Sequence, residues 1–207
     1  MELFERIDET LRNGSRANVV ISGITCSGKS TLANLICKRY NVAPYKDAVS
    51  IMPQDEYFKD LKDIPKSRFG ALLDSTDAFH TDEYERDVQC LLQHGSVLIP
   101  QYNVANNVRT PVKKQIQSNQ INVFEGLHTI SILKNIPDTI KVFVDTPPRV
   151  CLQRRIDRDT SKYGIPENRV REFWEDVIMP LSFRFVYPQK LLADIVLTSE
   201  GGEYVGS

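Results

Sequence analysis

The stretch Val19-Val20-Ile21-Ser22-Gly23-Ile24-Thr25-Cys26-Ser27-Gly28-Lys29-Ser30 decides how the chain is read. Its last eight residues, 23–30, have the form G-x-x-x-x-G-K-[ST], a complete phosphate-binding loop. Ahead of it, Val19-Val20-Ile21 suits a buried strand. Behind it, Thr31-Leu32-Ala33-Asn34-Leu35-Ile36-Cys37-Lys38-Arg39 has helical spacing, with Leu32, Leu35 and Ile36 on one face. Strand, glycine loop and helix together supply what the loop needs. Gly23 and Gly28 let the backbone curl until consecutive N–H groups face one anion, and the helix adds its positive end. Gly23, Thr25, Cys26, Ser27, Gly28, Lys29, Ser30 and Thr31 are therefore expected to hold a nucleoside triphosphate, with the N–H groups of residues 26–31 on its phosphates. Lys29 would bridge the β- and γ-phosphates, and the Ser30 hydroxyl would ligate Mg²⁺.

A length of 207 residues fits one large α/β domain, and 41% hydrophobic residues support a sizeable core. The formal charge of −1 argues against a surface built for nucleic acid. Cys26, Cys37, Cys90 and Cys151 are scattered without a C-x-x-C pair, which fits buried thiols in a reducing compartment. Cys26 lies inside the phosphate loop. Its surroundings favour a thiolate, while a tolerated small loop residue is the plainer reading. No apolar run reaches the length of a membrane span, and the acidic N-terminus (Glu2, Glu5, Asp8, Glu9) is wrong for a targeting segment. The expected location is cytoplasmic, with no membrane partner.

Strands are predicted at 18–22, 48–52, 97–101, 120–125, 140–145 and 194–198. Helical patterns fall at 2–12, 29–40, 77–93, 147–161 and 167–179. Leu3, Phe4, Ile7 and Leu11 give the first helix an apolar side for packing on the domain, with partner docking as the other use of such a face. Asp77 is the expected N-cap of the 77–93 helix, whose apolar face is Phe79, Tyr84, Val88, Leu91 and Leu92. The alternation implies an α/β fold with a parallel sheet covered on both faces and ligands at the carboxyl ends of its strands. The tail around Gly201-Gly202 is expected to be disordered.

Three further features carry chemistry. Asp55, in Gln54-Asp55-Glu56-Tyr57-Phe58, follows the second strand where a general base should sit, a position that also suits a helix cap or a solvated loop acid. Glu125 ends the strand Val123-Phe124-Glu125 and is placed to hold Mg²⁺ directly or through water. Arg155 and Arg158 lie three apart on one helix face, able to neutralise charge on a transferring phosphoryl group. A pair of arginines usually marks a solvated face; the company of the other two features favours catalysis.

These motifs, in this order from Val19 to Leu197, resemble the uridine kinase family of P-loop kinases, whose relatives include nicotinamide riboside kinases and phosphoribulokinases. Gln54-Asp55-Glu56-Tyr57-Phe58 is similar to the segment that carries the family's catalytic Asp. Leu73-Asp74-Ser75-Thr76-Asp77-Ala78-Phe79 resembles a stretch whose first Asp contacts the nucleoside, and Ile99-Pro100-Gln101-Tyr102-Asn103 one whose Tyr lies against the base. Phe143-Val144-Asp145-Thr146, Arg154-Arg155-x-x-Arg158-Asp159 and Ala193-Asp194-Ile195-Val196 match its strand, lid and last strand. The resemblance implies a three-layer P-loop NTPase fold of strand order 2-3-1-4-5 over residues 1–207. Residues 1–15 would be an N-terminal helix extension, 97–115 an acceptor-side hairpin and 153–168 an Arg-bearing lid. It further implies ATP and Mg²⁺ as cofactors and a small-molecule nucleoside as acceptor, phosphorylated on its 5′-hydroxyl. Asp74 and Tyr102 would hold that acceptor, with Tyr57, Asn107 and Arg109 beside them, in a homo-oligomeric dimer or tetramer.

The chain departs from the family on the acceptor side. Asn107 replaces the usual His, and Tyr163-Gly164-Ile165 stands where two lid arginines flank a Gly. Gly126-Leu127-His128 is closer to phosphoribulokinases, leaving His128 open as a functional or a structural residue. Uridine or cytidine is the expected acceptor. The alternatives are another ribose-bearing acceptor, such as nicotinamide riboside or a sugar phosphate, or a regulatory nucleotide-binding protein without turnover.

Overall fold

The structure, a computed structural model, describes residues 1–42, 47–200 and 203–206. Helix α1 (Glu2–Arg12) leads into β1 (Ala17–Ser22), α2 (Lys29–Tyr40) and β2 (Val49–Pro53). Two short strands, β3 (Lys66–Ser67) and β4 (Gly70–Ala71), precede α3 (Thr81–His94). The hairpin β5 (Ser96–Asn103) and β6 (Val108–Gln117) follows, then β7 (Ile121–Gly126), α4 (Thr129–Ile132) and β8 (Thr139–Val144). Helices α5 (Pro148–Tyr163), α6 (Glu167–Phe173) and α7 (Met179–Leu181) lead to β9 (Ile195–Glu200) and β10 (Glu203–Gly206).

The main sheet runs β10-β9-β8-β1-β7-β2. Its five parallel strands, counted along the chain, stand in the expected order 2-3-1-4-5, and β10 is added antiparallel at the edge. Register brings Ser22 beside Gly126, and Pro53 beside Glu125, at the carboxyl ends. Side-chain alternation then sorts the core into two layers. Val19 and Ile21 face α1 and α2, where Leu3, Ile7, Leu32, Ala33 and Ile36 are buried. Val20 faces the other way, toward Tyr84, Val88 and Leu91 of α3 and Trp174 and Ile178 beyond α6. Helix α1 is thus part of the core. Among the described residues, no helix is long and apolar enough to cross a membrane.

Several expectations are corrected. Leu35 lies 37% exposed, and Ala33 takes its place on the buried face of α2. The third predicted strand leaves the parallel sheet and, among the described residues, pairs only with β6, forming a hairpin over 96–117. Helix α3 begins at Thr81, and Asp77 does not cap it. Ser75 Oγ accepts the Asp77 N–H, closing a separate turn, while backbone bonds between Lys59 and Ala78 and between His80 and Tyr57 hold 78–80 extended. Phe79 consequently stacks on Phe58 instead of joining the helix face. The helical path after α6 extends to Leu192 through wide π turns at 174–178 and 182–186 on either side of Pro180, which has no N–H for the helical ladder. Gly201 and Gly202 lie outside the described residues, but 203–206 beyond them form an ordered edge strand.

Ile7→Ala should lower stability by about 2–4 kcal/mol, because the side chain is fully buried against the sheet. A thermal melt should show a fall of roughly 2–4 °C per kcal/mol. An unchanged melting temperature would mean that α1 is not part of this core.

Candidate active site

The phosphate loop is built by close approach. A Cβ at Gly23 would stand 2.6 Å from the Val144 carbonyl and 2.7 Å from Ser27 Oγ, so only glycine passes there. Gly28 takes φ +105°, and Cys26 also adopts a left-handed conformation. Lys29 curls back, its Nζ donating to the Ile24 carbonyl at 2.9 Å. No side chain caps the start of α2 and its first turn carries no acid, so its N-terminal N–H groups and positive end face the loop.

Acids and cations converge on this loop. Ser30 Oγ donates to Glu125 Oε1 at 3.1 Å, placing two hard oxygen donors side by side at the end of β7. Such a pair suits Mg²⁺, which needs few protein ligands when phosphates and water supply the rest. Among the described residues there is no cluster of three or more His, Cys, Asp or Glu that could hold a metal. Asp55 follows β2 on a 3-10 turn, Gln54–Tyr57. Solvent reaches the residue, while its carboxyl lies among the charges of Glu125, Lys29 and Asp74. Lost hydration, and then the charge of Glu125, push its carboxyl up to about 6 against the pull of Lys29. Asp74 is buried and its carboxyl is also raised by burial, with Arg155, Lys29 and Arg158 opposing.

His128 braces this arrangement. Its Nε2 lies 3.0 Å from the Asp74 carbonyl, which can only accept, so the proton sits on Nε2. Burial lowers its pKa to about 4, leaving the ring neutral near pH 7. Its own N–H donates to Gln54 Oε1 at 2.9 Å, and a side chain at Gly126 would collide with Gln54.

Helix α5 supplies the guanidinium groups. Arg155 Nη1 donates to Thr25 Oγ1 at 3.1 Å, and its Nε pairs with Asp159 Oδ2 at 3.2 Å. Arg158 Nε reaches the other oxygen of Asp159 at 2.7 Å. One nearly buried carboxylate therefore holds both arginines. A cleft of about 440 Å³ runs from Lys29 and Ser30 to Ser199 and Tyr204, flanked by Arg154 and Arg158.

Comparison with known proteins gives this geometry its family. The model of the phosphoribulokinase / uridine kinase family matches residues 19–204. The chain belongs to that family. The uridine kinase of Leuconostoc citreum is 30% identical over 186 residues, covering 88% of this chain and 87% of the relative. The uridine kinase of Tolumonas auensis is 28% identical over 184 residues, covering 87% and 86%. The solved phosphoribulokinase from Rhodobacter spheroides shares the fold, with a TM-score of 0.59 at 16% identity over 88% of this chain and 70% of that one. This chain is accordingly a kinase.

The kinase keeps its acceptor-side candidates in unequal situations. Tyr102 donates its N–H to Glu56 Oε2 at 2.7 Å, its ring lies 5.3 Å from Phe58, and its buried hydroxyl has no partner among the described residues. Tyr57 is fully buried, edge-on to Tyr84 at 4.9 Å, and donates its hydroxyl to Asp87 at 3.0 Å. Arg109 is committed to Glu83, at 2.8 and 2.9 Å. Asn107 occupies a left-handed position at φ +52° in the hairpin turn, where its carbonyl accepts the Leu61 N–H at 3.0 Å. A pocket of about 360 Å³ lies beyond Arg155, between residues 69–73 and Phe173.

Sequence reasoning missed Asp159 as the anchor of both arginines and Arg154, Ser199 and Tyr204 as walls of the larger cleft. Arg154 and Asp159 stand inside a motif that was already visible; Tyr204 follows Gly201-Gly202 and carries no such signal. Asp159→Ala should cost about 1–3 kcal/mol by stranding Arg155 without its counter-charge, the more exposed Arg158 losing less. Urea unfolding would measure the loss, and wild-type stability would remove Asp159 from this anchoring role.

Proposed function

We propose that the kinase transfers the γ-phosphoryl group of ATP to the 5′-hydroxyl of a nucleoside, with uridine or cytidine as the acceptor. The observation that carries this reading is the placement of Asp55, which follows β2 and faces the charges of Glu125, Lys29 and Asp74 beside the phosphate loop. An Asp with a pKa of about 6 is ionised at pH 7 and basic enough to take a hydroxyl proton as the bond to phosphorus forms. The β–γ oxygen–phosphorus bond then breaks and ADP leaves.

Residues 23 and 25–31 bind the phosphates, with Lys29 on the β- and γ-groups. Ser30 and Glu125 would hold Mg²⁺, which supplies charge neutralisation on the phosphate oxygens. Arg155 and Arg158 stabilise charge on the transferring group from the 153–168 lid. Asp74, fixed through its carbonyl by His128, accepts hydrogen bonds from the acceptor's hydroxyls. Tyr102 offers a ring and a hydroxyl to the base from the 97–115 hairpin. Asn107 borders this site through its side-chain amide. Tyr57 and Arg109 shape it indirectly, since both are engaged with other side chains.

A second acceptor class is favoured by the pocket beyond Arg155. Its walls at Phe69, Leu73, Ile165 and Phe173 give apolar faces to the ring of another ribose-bearing acceptor such as nicotinamide riboside. ADP release measured with Mg-ATP and a panel of uridine, cytidine, nicotinamide riboside, ribose and ribulose 5-phosphate separates the two. Rapid turnover on uridine or cytidine is expected. Turnover confined to another acceptor would overturn the substrate, and ATP binding without any turnover would overturn the kinase mechanism in favour of a nucleotide-binding regulator.

Asp55→Asn should keep ATP affinity and reduce kcat by roughly 10²-fold or more. In the wild type, kcat/KM should fall about tenfold per pH unit below about 6, because protonated Asp55 cannot accept the hydroxyl proton. That limb should be absent from the residual activity of the variant. Near-normal turnover in Asp55→Asn would remove the residue from the base role.

A further inference from the structure

Strand β10 ends against the phosphate loop. Tyr204 Oη donates to the Gly28 carbonyl at 2.7 Å, the same carbonyl that accepts the first helical N–H, from Leu32, at 2.9 Å. A Cβ at Gly28 would stand 3.0 Å from that hydroxyl, so the glycine permits the contact as well as the turn. Tyr204 lies directly opposite Ser199 in the antiparallel β9–β10 pair. Arg154 reaches Ser199 with Nη2, 3.5 Å from its carbonyl and 3.4 Å from its Oγ. With Nη1 it reaches the carbonyls of Cys26 and Ser27, at 3.3 Å each. Three consecutive loop carbonyls, 26 to 28, are therefore held from outside by one cross-strand pair and one guanidinium, with the Thr146 hydroxyl also donating to the Ser27 carbonyl at 2.7 Å.

A trans peptide unit is planar, and its C=O and N–H point in opposite directions. Fixing the carbonyls of Ser27 and Gly28 outward fixes the N–H groups of Gly28 and Lys29 toward the anion. The Ser27 N–H is spent on the Ile24 carbonyl, which makes the next two the loop's working donors. We propose that Tyr204 and Arg154, joined through Ser199, are positioning residues that preset the phosphate-binding N–H groups. The ligand class they serve is an inorganic or nucleoside polyphosphate, whichever acceptor the kinase uses.

The test is equilibrium binding of ATP and of inorganic tripolyphosphate to the full chain without acceptor, for wild type, Tyr204→Phe and Arg154→Lys. Tyr204→Phe keeps the ring and removes one hydrogen bond. It should weaken both ligands by the same factor, about three- to tenfold, with little change in melting temperature. Arg154→Lys keeps the charge and loses the forked contact, and should weaken both ligands at least as much. Unchanged affinities in both variants would overturn the brace. So would a loss for ATP alone, which would place the phenol against the base or ribose. Failure of wild type to bind either ligand would instead defeat the nucleotide-binding reading itself.

Discussion

The hydrogen bond from Asn122 Nδ2 to Asn18 Oδ1, 3.0 Å long, joins β7 to β1 inside a largely apolar stretch of the sheet. Both strands are buried on both faces by Val, Ile and Phe, so the hydrophobic pattern alone would tolerate a shift of one residue. A buried amide whose cross-strand partner sits at one position does not, because slipping would break that bond. The Asn119 N–H and carbonyl also bond to Asn122, tying the entry of β7 to the same point. Register at this pair sets which residue emerges four positions on. Ser22 then meets Gly126, and Glu125 arrives beside Ser30. One step out of register, the carboxylate and the hydroxyl would leave opposite sides of the rim.

From that register the electrostatics follow. Strand β2 pairs with β7 so that Pro53 lies beside Glu125, which brings Asp55 within the influence of Glu125 two residues later. Lost hydration is the larger cause of the rise at Asp55, the charge of Glu125 adds to it, and Lys29 offsets part of both. The imbalance produces a carboxyl poised near neutrality, while a lone surface Asp would titrate near 4. The raised basicity of Asp55 is thus a consequence of sheet pairing and of what packs around the strand ends.

Local chemistry was legible in the sequence where one short segment contains its own cause. The phosphate loop carries its glycines, its strand and its helix in one continuous run, whereas the strand order was implied only by the resemblance to a known family. Features set by distant partners were not legible. Leu35 has helical spacing with Leu32, but the orientation of α2 on the sheet buries Ala33 and leaves Leu35 37% exposed. Asp77 has the chemistry of a cap, yet Ser75 captures its N–H first. Tyr57 sits two residues from Asp55 and still points into the core, because a 3-10 turn separates their directions. Tyr204 has no local motif; its partner is Gly28, 176 residues earlier.

Polar satisfaction points to the same rim. Buried side-chain atoms without a hydrogen-bond partner among the described residues include Ser27 Oγ, Gln54 Nε2, Asp74 Oδ2, Tyr102 Oη and His128 Nδ1. Each such atom costs the fold about 1–3 kcal/mol, and a protein that satisfies nearly all others has a reason to tolerate them. Four of the five belong to the segments after β2 and β7 and the residues braced by them, and the fifth lies in the phosphate loop. Gln54 and His128 each use one atom to hold a neighbour in place and leave the other unpaired. Asp74 does the same with its carbonyl fixed and one carboxyl oxygen unpaired. Rigid backbone with unpaired side-chain atoms is the arrangement in which a ligand gains hydrogen bonds without paying again for order. The packing of the sheet bears that cost during folding, so this rim is built from braced residues.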